Sequence, residues 1–196
     1  MFLKRSDVLS KAEQKILLHL ARKSIAAKFS GRELPKFKSP FHRLEETRGV
    51  FVTLKKENKL RGCIGFVMGV KPLYQTVQEV AEASAFQDPR FSPLKEDELE
   101  DTVIEISVMT ALRKISSIKM IKVKRDGLLV KRGDSQGLLL PQVAQKNNWK
   151  RQTFLEHVCL KAGLDKDDWK NPDTEIMTFR AQIFEEPPND KNNLLV

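Results

Sequence analysis

The chain has 196 residues, 40% of them apolar and 31% charged, with nine Gly and nine Pro, so it is long and apolar enough to bury a core without disulfides or metals. No apolar run approaches the ~20 residues that span a bilayer, and residues 1–7 lack the apolar stretch of a secretory signal, which points to a cytoplasmic protein without a membrane anchor. Two cysteines, Cys63 and Cys159, exclude a disulfide framework, and the formal charge of +9 permits attraction to phosphates without requiring it.

Ser10-Lys11-Ala12-Glu13 has the form of a capping box and opens a helix predicted over 11–29. Ile16, Leu17, Leu20, Ala21 and Ile25 share its apolar face, and Gly31 supplies a left-handed stop. The stretch to Arg48, with Pro35 and Pro40, reads as a loop lying over the body. Two apolar runs, 49–54 and 60–67, separated by polar residues, predict a β-hairpin. Pro72 suits the start of a helix that carries Leu73, Val77, Val80, Ala81 and Ser84 on one face and ends near Gln87, where Asp88-Pro89 turns the chain out. Val103 to Met109 alternates apolar residues with Glu105 and Ser107, as a strand with one polar face does.

The same order then recurs: a hairpin from 127–130 and 137–140, a helix bearing Phe154, Leu155, Val158 and Ala162, and one long final strand over 176–184. The expected fold is therefore α+β and mostly antiparallel, pseudo-duplicated, with a first unit over about 49–110 and a second over about 127–184. Residues 191–196 read as a loose tail.

Within the second strand of the first hairpin, Leu60-Arg61-Gly62-Cys63-Ile64-Gly65, alternation places Arg61 and Cys63 on one face. A guanidinium beside a thiol favours the thiolate, and Gly62 and Gly65 remove bulk where a ligand or another backbone approaches. Two readings stand: a reactive, anion-accepting surface, or a buried cysteine between glycines that serve packing. Glu105 and Ser107 line either a cleft wall, with Arg61 as partner to the carboxylate, or a wet sheet face. Arg90, just past a helix end, either caps carbonyls or meets an anion. His19, His42 and His157 are not placed by sequence as bases for Cys63. The cations from Arg113 to Arg151 offer an alternative, a nucleic-acid surface, although Tyr74 is the only tyrosine and aromatic residues are not expected to interleave with them to stack bases. No phosphate-loop, dinucleotide, nucleophile-elbow or zinc-protease motif occurs, and neither a metal nor a cofactor is expected.

Six segments taken together, 48–54, 60–65, 88–91, 104–108, 137–144 and 159–164, resemble the AMME chromosomal region gene one family, an intracellular family of archaea, bacteria and eukaryotes. The resemblance covers most of the chain, residues 1–190, and implies an α+β fold of two sub-domains with a cleft between them. It makes the motif around Cys63 the family's most characteristic element. By that reading the expected site has Cys63 and Glu105 as catalytic groups and Arg61, Gly62, Gly65, Arg90, Ser107 and Gln142 as substrate contacts for an anionic substrate. Partners implied by the resemblance are a Memo-type protein and a radical S-adenosylmethionine enzyme, for which the apolar residues of the 29–44 loop are candidate anchors. The chain carries Gln87 where relatives commonly have an acidic residue, and Arg125-Asp126 where many have a histidine before the glycine.

Overall fold

The computed structural model describes residues 8–34 and 36–187, and the predicted tail over 191–196 lies outside them. The chain divides into two compact units, one running to Met109 and resuming at Gln182, the other spanning Thr110–Ala181.

The first unit begins with α1 (Lys11–Phe29), whose capping box forms as predicted: Ser10 Oγ accepts the Glu13 amide at 3.3 Å and the Glu13 carboxylate accepts the Ser10 amide at 2.6 Å. Gly31, at φ 65°, follows the helix. The loop after it is anchored by its aromatic residues. Phe29 packs edge-on against Phe86, Phe37 against Tyr74, and Leu44, in the short α2 (His42–Glu45), is fully buried. Phe29, Phe37 and Leu44 are thus spent inside the unit, whereas Leu34 of the same loop stays exposed.

β1 (Val50–Lys56) and β2 (Lys59–Phe66) form the predicted hairpin, tighter than the polar spacing suggested, because Glu57 and Asn58 both adopt left-handed φ and close a two-residue turn. α3 (Leu73–Phe86) starts after Pro72 and stops before Asp88-Pro89. β3 (Thr102–Met109) pairs antiparallel with β1 on the side away from β2. With β8 (Ala181–Glu185) the sheet order is β2-β1-β3-β8. Val50, Val52, Leu54, Ile104, Ile106 and Val108 point from the sheet into a core completed by Leu17, Ile25 and Val77 of the helices. A buried ion pair closes this core. Arg22 of α1 donates through Nε and Nη2 to Glu186, and it also donates to the carbonyls of Leu99 and Thr102. Every partner is thus satisfied, as burial of both charges demands.

The second unit contains β4 (Arg113–Lys114), β5 (Gly127–Arg132), β6 (Ser135–Leu139), α4 (Pro141–Lys146), α5 (Arg151–Lys161) and β7 (Glu175–Phe179), with sheet order β4-β7-β5-β6. Its core is formed by Ile121, Leu128, Val130, Phe154, Leu155, Val158 and Cys159. The duplication is real in topology: each sheet has the first hairpin strand in the interior, flanked by its hairpin partner and by the strand that follows the helices. It extends to one atomic detail. Gly62 sits opposite Leu54 in β2 and Gly137 opposite Val130 in β6, and a Cβ on either would run into helix-end backbone, 2.1 Å from the Ser84 carbonyl oxygen and 2.4 Å from the Ala162 nitrogen.

The final long strand predicted over 176–184 is corrected to two. At Arg180 the backbone leaves the ladder: its N–H donates to Thr110 Oγ1 and its carbonyl accepts the Thr110 amide, after which β8 joins the first sheet. Alternation continues across the break, so the sequence pattern cannot register the change of sheet.

The glycine contact yields a test. Gly62→Ala is expected to cost about 3 kcal/mol, since the obstructing atom is backbone and cannot rotate away. Gly31→Ala, strained in φ but with open space around it, should cost about 1 kcal/mol. Urea unfolding midpoints of the two variants separate these outcomes, and equal losses would refute the close-packing assignment.

Candidate functional site

Among the described residues β2 is an edge strand, so the outward backbone groups of Cys63 have no strand there to pair with. The segment following α3 fills that role. Asp88, only 4% exposed, accepts the Cys63 N–H at 2.8 Å, and Arg90 Nη2 donates to the Cys63 carbonyl at 3.2 Å. Asp88 also accepts the Arg90 amide, Nε and Nη2, at 3.1, 2.9 and 2.7 Å. One residue on, the Ile64 N–H donates to Ser84 Oγ, which donates to the Val52 carbonyl, so a helix hydroxyl is inserted between two paired strands. The carboxyl of Asp88 is held well below the usual carboxylate range, chiefly by the Arg90 hydrogen bonds acting against its burial and helped by the two backbone amides. Arg90 is raised by the same hydrogen bonds acting against its desolvation, with the Asp88 charge adding to them.

The side chain of Cys63 faces away from the core, half-buried, in lateral register with Thr53 of β1 and Glu105 of β3. Thr53 Oγ1 lies 3.3 Å from Sγ. On the same face Phe51 stands opposite Ser107 and Gly65. Glu105 is a half-buried carboxylate whose partner is Lys55 at 2.6 Å, and Lys55 also reaches Glu185 at 3.1 Å. Cys63, Glu105 and Ser107 are therefore brought onto one face.

Arg61 is not. The register shifts between Leu54, opposite Gly62, and Lys55, opposite Leu60, which leaves Arg61 as the extra residue of a bulge. Each nitrogen of its guanidinium is engaged: Nε and Nη2 on Glu98, Nη1 on the Ser92 carbonyl and Nη2 on the Pro93 carbonyl. Glu98 is pulled down to about 2, first by Arg61, with Lys95 and Lys56 adding to it against desolvation. The cation beside the Cys63 backbone is Arg90, and the expected pairs of Arg61 with Cys63 and with Glu105 are not formed. Of the two approaches open to the glycines, a ligand or another backbone, the structure shows the second. A Cβ on Gly62 meets α3 and one on Gly65 meets Val50 and Phe51 of the neighbouring strand, so both clear room for the protein's own backbone rather than for a ligand. Gln142 is an exposed residue on the first turn of α4, in the second unit.

Arg90 itself is the residue whose importance the sequence understated. Its side chain is 54% exposed, lies 5.5 Å from the centroid of the Phe91 ring, and its Nη1 has no hydrogen-bond acceptor among the described residues. The basic 113–151 stretch is partly neutralised: Lys114 pairs with Glu175, Arg132 with Asp168, and Arg125 with Asp126, a buried carboxylate that also accepts Arg180 and the Lys122 amide. One aromatic does stand among these cations, Trp149, but its ring is stacked on His157 at 3.9 Å. No group of His, Cys, Asp and Glu among the described residues is arranged to hold a metal ion, and no helix there is long and apolar enough to cross a membrane.

The AMMECR1 family model matches residues 18–184. The chain belongs to the AMMECR1 family. Protein MK0488 of Methanopyrus kandleri is 44% identical over 189 residues, covering 92% of this chain and 91% of that protein. A protein of Aquifex aeolicus is 39% identical over 178 residues, 87% of this chain and 91% of its own length. The crystal structure of the uncharacterized protein PH0010 from Pyrococcus horikoshii superposes with a TM-score of 0.74 at 42% identity, over 88% of this chain and 90% of that one. These AMMECR1 relatives carry no activity in their names, so the chemistry has to be argued from the side chains.

The clamp predicts an acid signature. An unfolded aspartate titrates near 3.8 and Asp88 titrates lower in the fold, so its stabilisation is complete above about pH 4 and is lost as pH falls below that value. Asp88→Asn should therefore cost about 2 kcal/mol at pH 7, with the gap to the parent protein narrowing below pH 4. Denaturant midpoints between pH 7 and pH 2 measure this. A gap that stays constant over that range contradicts the assignment.

Proposed function

We propose that the half-exposed Cys63 face of the first sheet binds a small anionic group, with Arg90 supplying the positive charge and the Cys63 thiol and Thr53 hydroxyl lying beside it. The observation that carries the reading is the state of Arg90: rooted through Nε and Nη2 in a buried carboxylate, exposed by about half, and with Nη1 left over. A guanidinium rooted through Nε and Nη2 and open at Nη1 offers its charge and the Nη1 N–H donors to an oxygen of a carboxylate or phosphate. The neighbouring arginine of the motif cannot serve, because Glu98 and two carbonyls occupy it.

Binding is better supported than covalent catalysis. No histidine hydrogen-bonds to Cys63 among the described residues, and Glu105, the expected acid or base, is tied to Lys55. A nucleophilic role for Cys63 thus lacks a visible proton acceptor. The nucleic-acid alternative is weakened by the pairing of three of its cations with carboxylates and by the His157 stack on Trp149.

The reading is tested by comparing the alkylation rates of Cys63 with iodoacetate and with neutral iodoacetamide. Cys159 is fully buried, with its thiol pushed up by desolvation, and serves as an internal control. Arg90→Gln should lower the iodoacetate rate relative to iodoacetamide by about fivefold, equivalent to ~1 kcal/mol for one charge a few ångströms away. Arg90→Lys should retain the preference. A ratio indifferent to the charge at position 90 would rule out Arg90 as the anion-binding group.

A further inference from the structure

The open face of the first sheet carries a second row of residues beside the thiol. Register sets Ser107 of β3, Phe51 of β1 and Gly65 of β2 side by side, one strand repeat away from the row of Glu105, Thr53 and Cys63. Gly65 has no side chain, and the Phe51 ring leans into the space that one would fill, with Cδ1 2.6 Å from where a Cβ would stand. A ring laid over a cross-strand glycine is held in place by the sheet beneath it. The second unit builds the same pair, Phe179 of β7 over Gly127 of β5. There the ring is sealed at 2% exposure, whereas Phe51 stays partly exposed.

Ser107, on the far side of Phe51, is only 6% exposed, yet its hydroxyl has no hydrogen-bond partner among the described residues. A buried hydroxyl is costly until something pairs with it, and such groups in native proteins ordinarily have a partner. Polar groups therefore stand at both ends of an aromatic floor: the Ser107 hydroxyl at one, and Arg90, beside the Cys63 backbone, at the other. Ser107 and Cys63 are two strands and two residues apart, roughly 12 Å from backbone to backbone. With a hydrogen bond at each end, that span suits one six-membered ring with a short acid arm.

We propose that the anion bound at Arg90 is the acid group of a small planar aromatic compound, whose ring stacks on Phe51 and whose far side carries a hydroxyl that hydrogen-bonds to Ser107. This ligand class rests on the Arg90 reading and names the kind of molecule that brings the anion. Stacking on a fixed ring favours a flat ligand over a saturated one, Ser107 favours a polar substituent opposite the acid, and the charge of Arg90 favours the acid over its amide. Lys55 neutralises Glu105, the nearest carboxylate on this face, so the floor does not repel the acid as a bare charge would.

The probe is para-hydroxyphenylacetate, titrated into the full chain and followed by amide chemical shifts, which are expected at Phe51, Cys63, Arg90 and Ser107. Cyclohexylacetate, which keeps the acid without the flat ring, phenylacetate, which lacks the hydroxyl, and the uncharged para-hydroxyphenylacetamide should each bind about fivefold more weakly. Each preference should vanish with one residue and survive loss of the others: that for the hydroxyl in Ser107→Ala, that for the aromatic ring in Phe51→Leu, and that for the acid in Arg90→Gln. Ser107→Ala deletes a hydroxyl that pairs with nothing in the fold, so its unfolding midpoint should not fall. Equal binding of the hydroxyphenyl, phenyl and cyclohexyl acids, all weakened in Arg90→Gln, would overturn the aromatic ligand and leave the Arg90 reading standing. Equal binding of acid and amide would remove the Arg90 reading and the aromatic acid with it. Shifts confined to other residues, or none at tens of millimolar ligand, would also overturn the proposal.

Discussion

A single carboxylate, Asp88, ties the end of α3 to the edge of the first sheet. It is almost excluded from solvent and accepts four donors, one of them the amide of Cys63. Around it the helix end makes three further commitments to the same strand. The Ser84 carbonyl lies where a Cβ of residue 62 would be, the Ser84 hydroxyl takes the Ile64 amide, and Arg90 returns to the Cys63 carbonyl. The glycine, the serine, the aspartate and the arginine are therefore parts of one joint. An unpaired strand edge carries unsatisfied donors and acceptors, and this joint removes them at the one residue whose side chain is a thiol.

The joint also decides what Cys63 and Arg90 have available. With its backbone fixed on both sides, Cys63 presents Sγ to Thr53 on the open face of the sheet. Arg90 is held through Nε and Nη2, and its Nη1 has no acceptor among the described residues. Lys55 neutralises the nearby Glu105, so that carboxylate does not compete with an incoming anion as a bare charge would. The AMMECR1 relative PH0010 shares the fold on which this arrangement is built.

Much of this framework was legible in the residues. Capping chemistry and periodicity are local, and they located α1, the first hairpin, α3 and β3 to within a residue or two. Alternation put Cys63 on one face and Glu105 and Ser107 on one face, and lateral register then joined them. Three things escaped. The bulge at Arg61 breaks alternation through pairing geometry that no side chain announces. The transfer from β7 to β8 depends on the Thr110 hydrogen bonds to Arg180, residues 70 positions apart in the chain. The role of Arg90 depends on Asp88 being buried, which a two-residue helix stop does not reveal. The glycines left open whether a ligand or another backbone approaches, because a missing side chain says that something comes close without saying what, and here it is backbone.

The central claim is that Asp88 and Arg90 replace a missing strand for Cys63, and its most direct test is amide hydrogen exchange. The Cys63 amide, although on a sheet edge, should exchange as slowly as amides of the β1 and β3 ladder in the parent protein. In Asp88→Ala it should exchange at least about a hundredfold faster while the Ile106 amide stays protected. Fast exchange of Cys63 in the parent, or protection unchanged in the variant, would contradict the account.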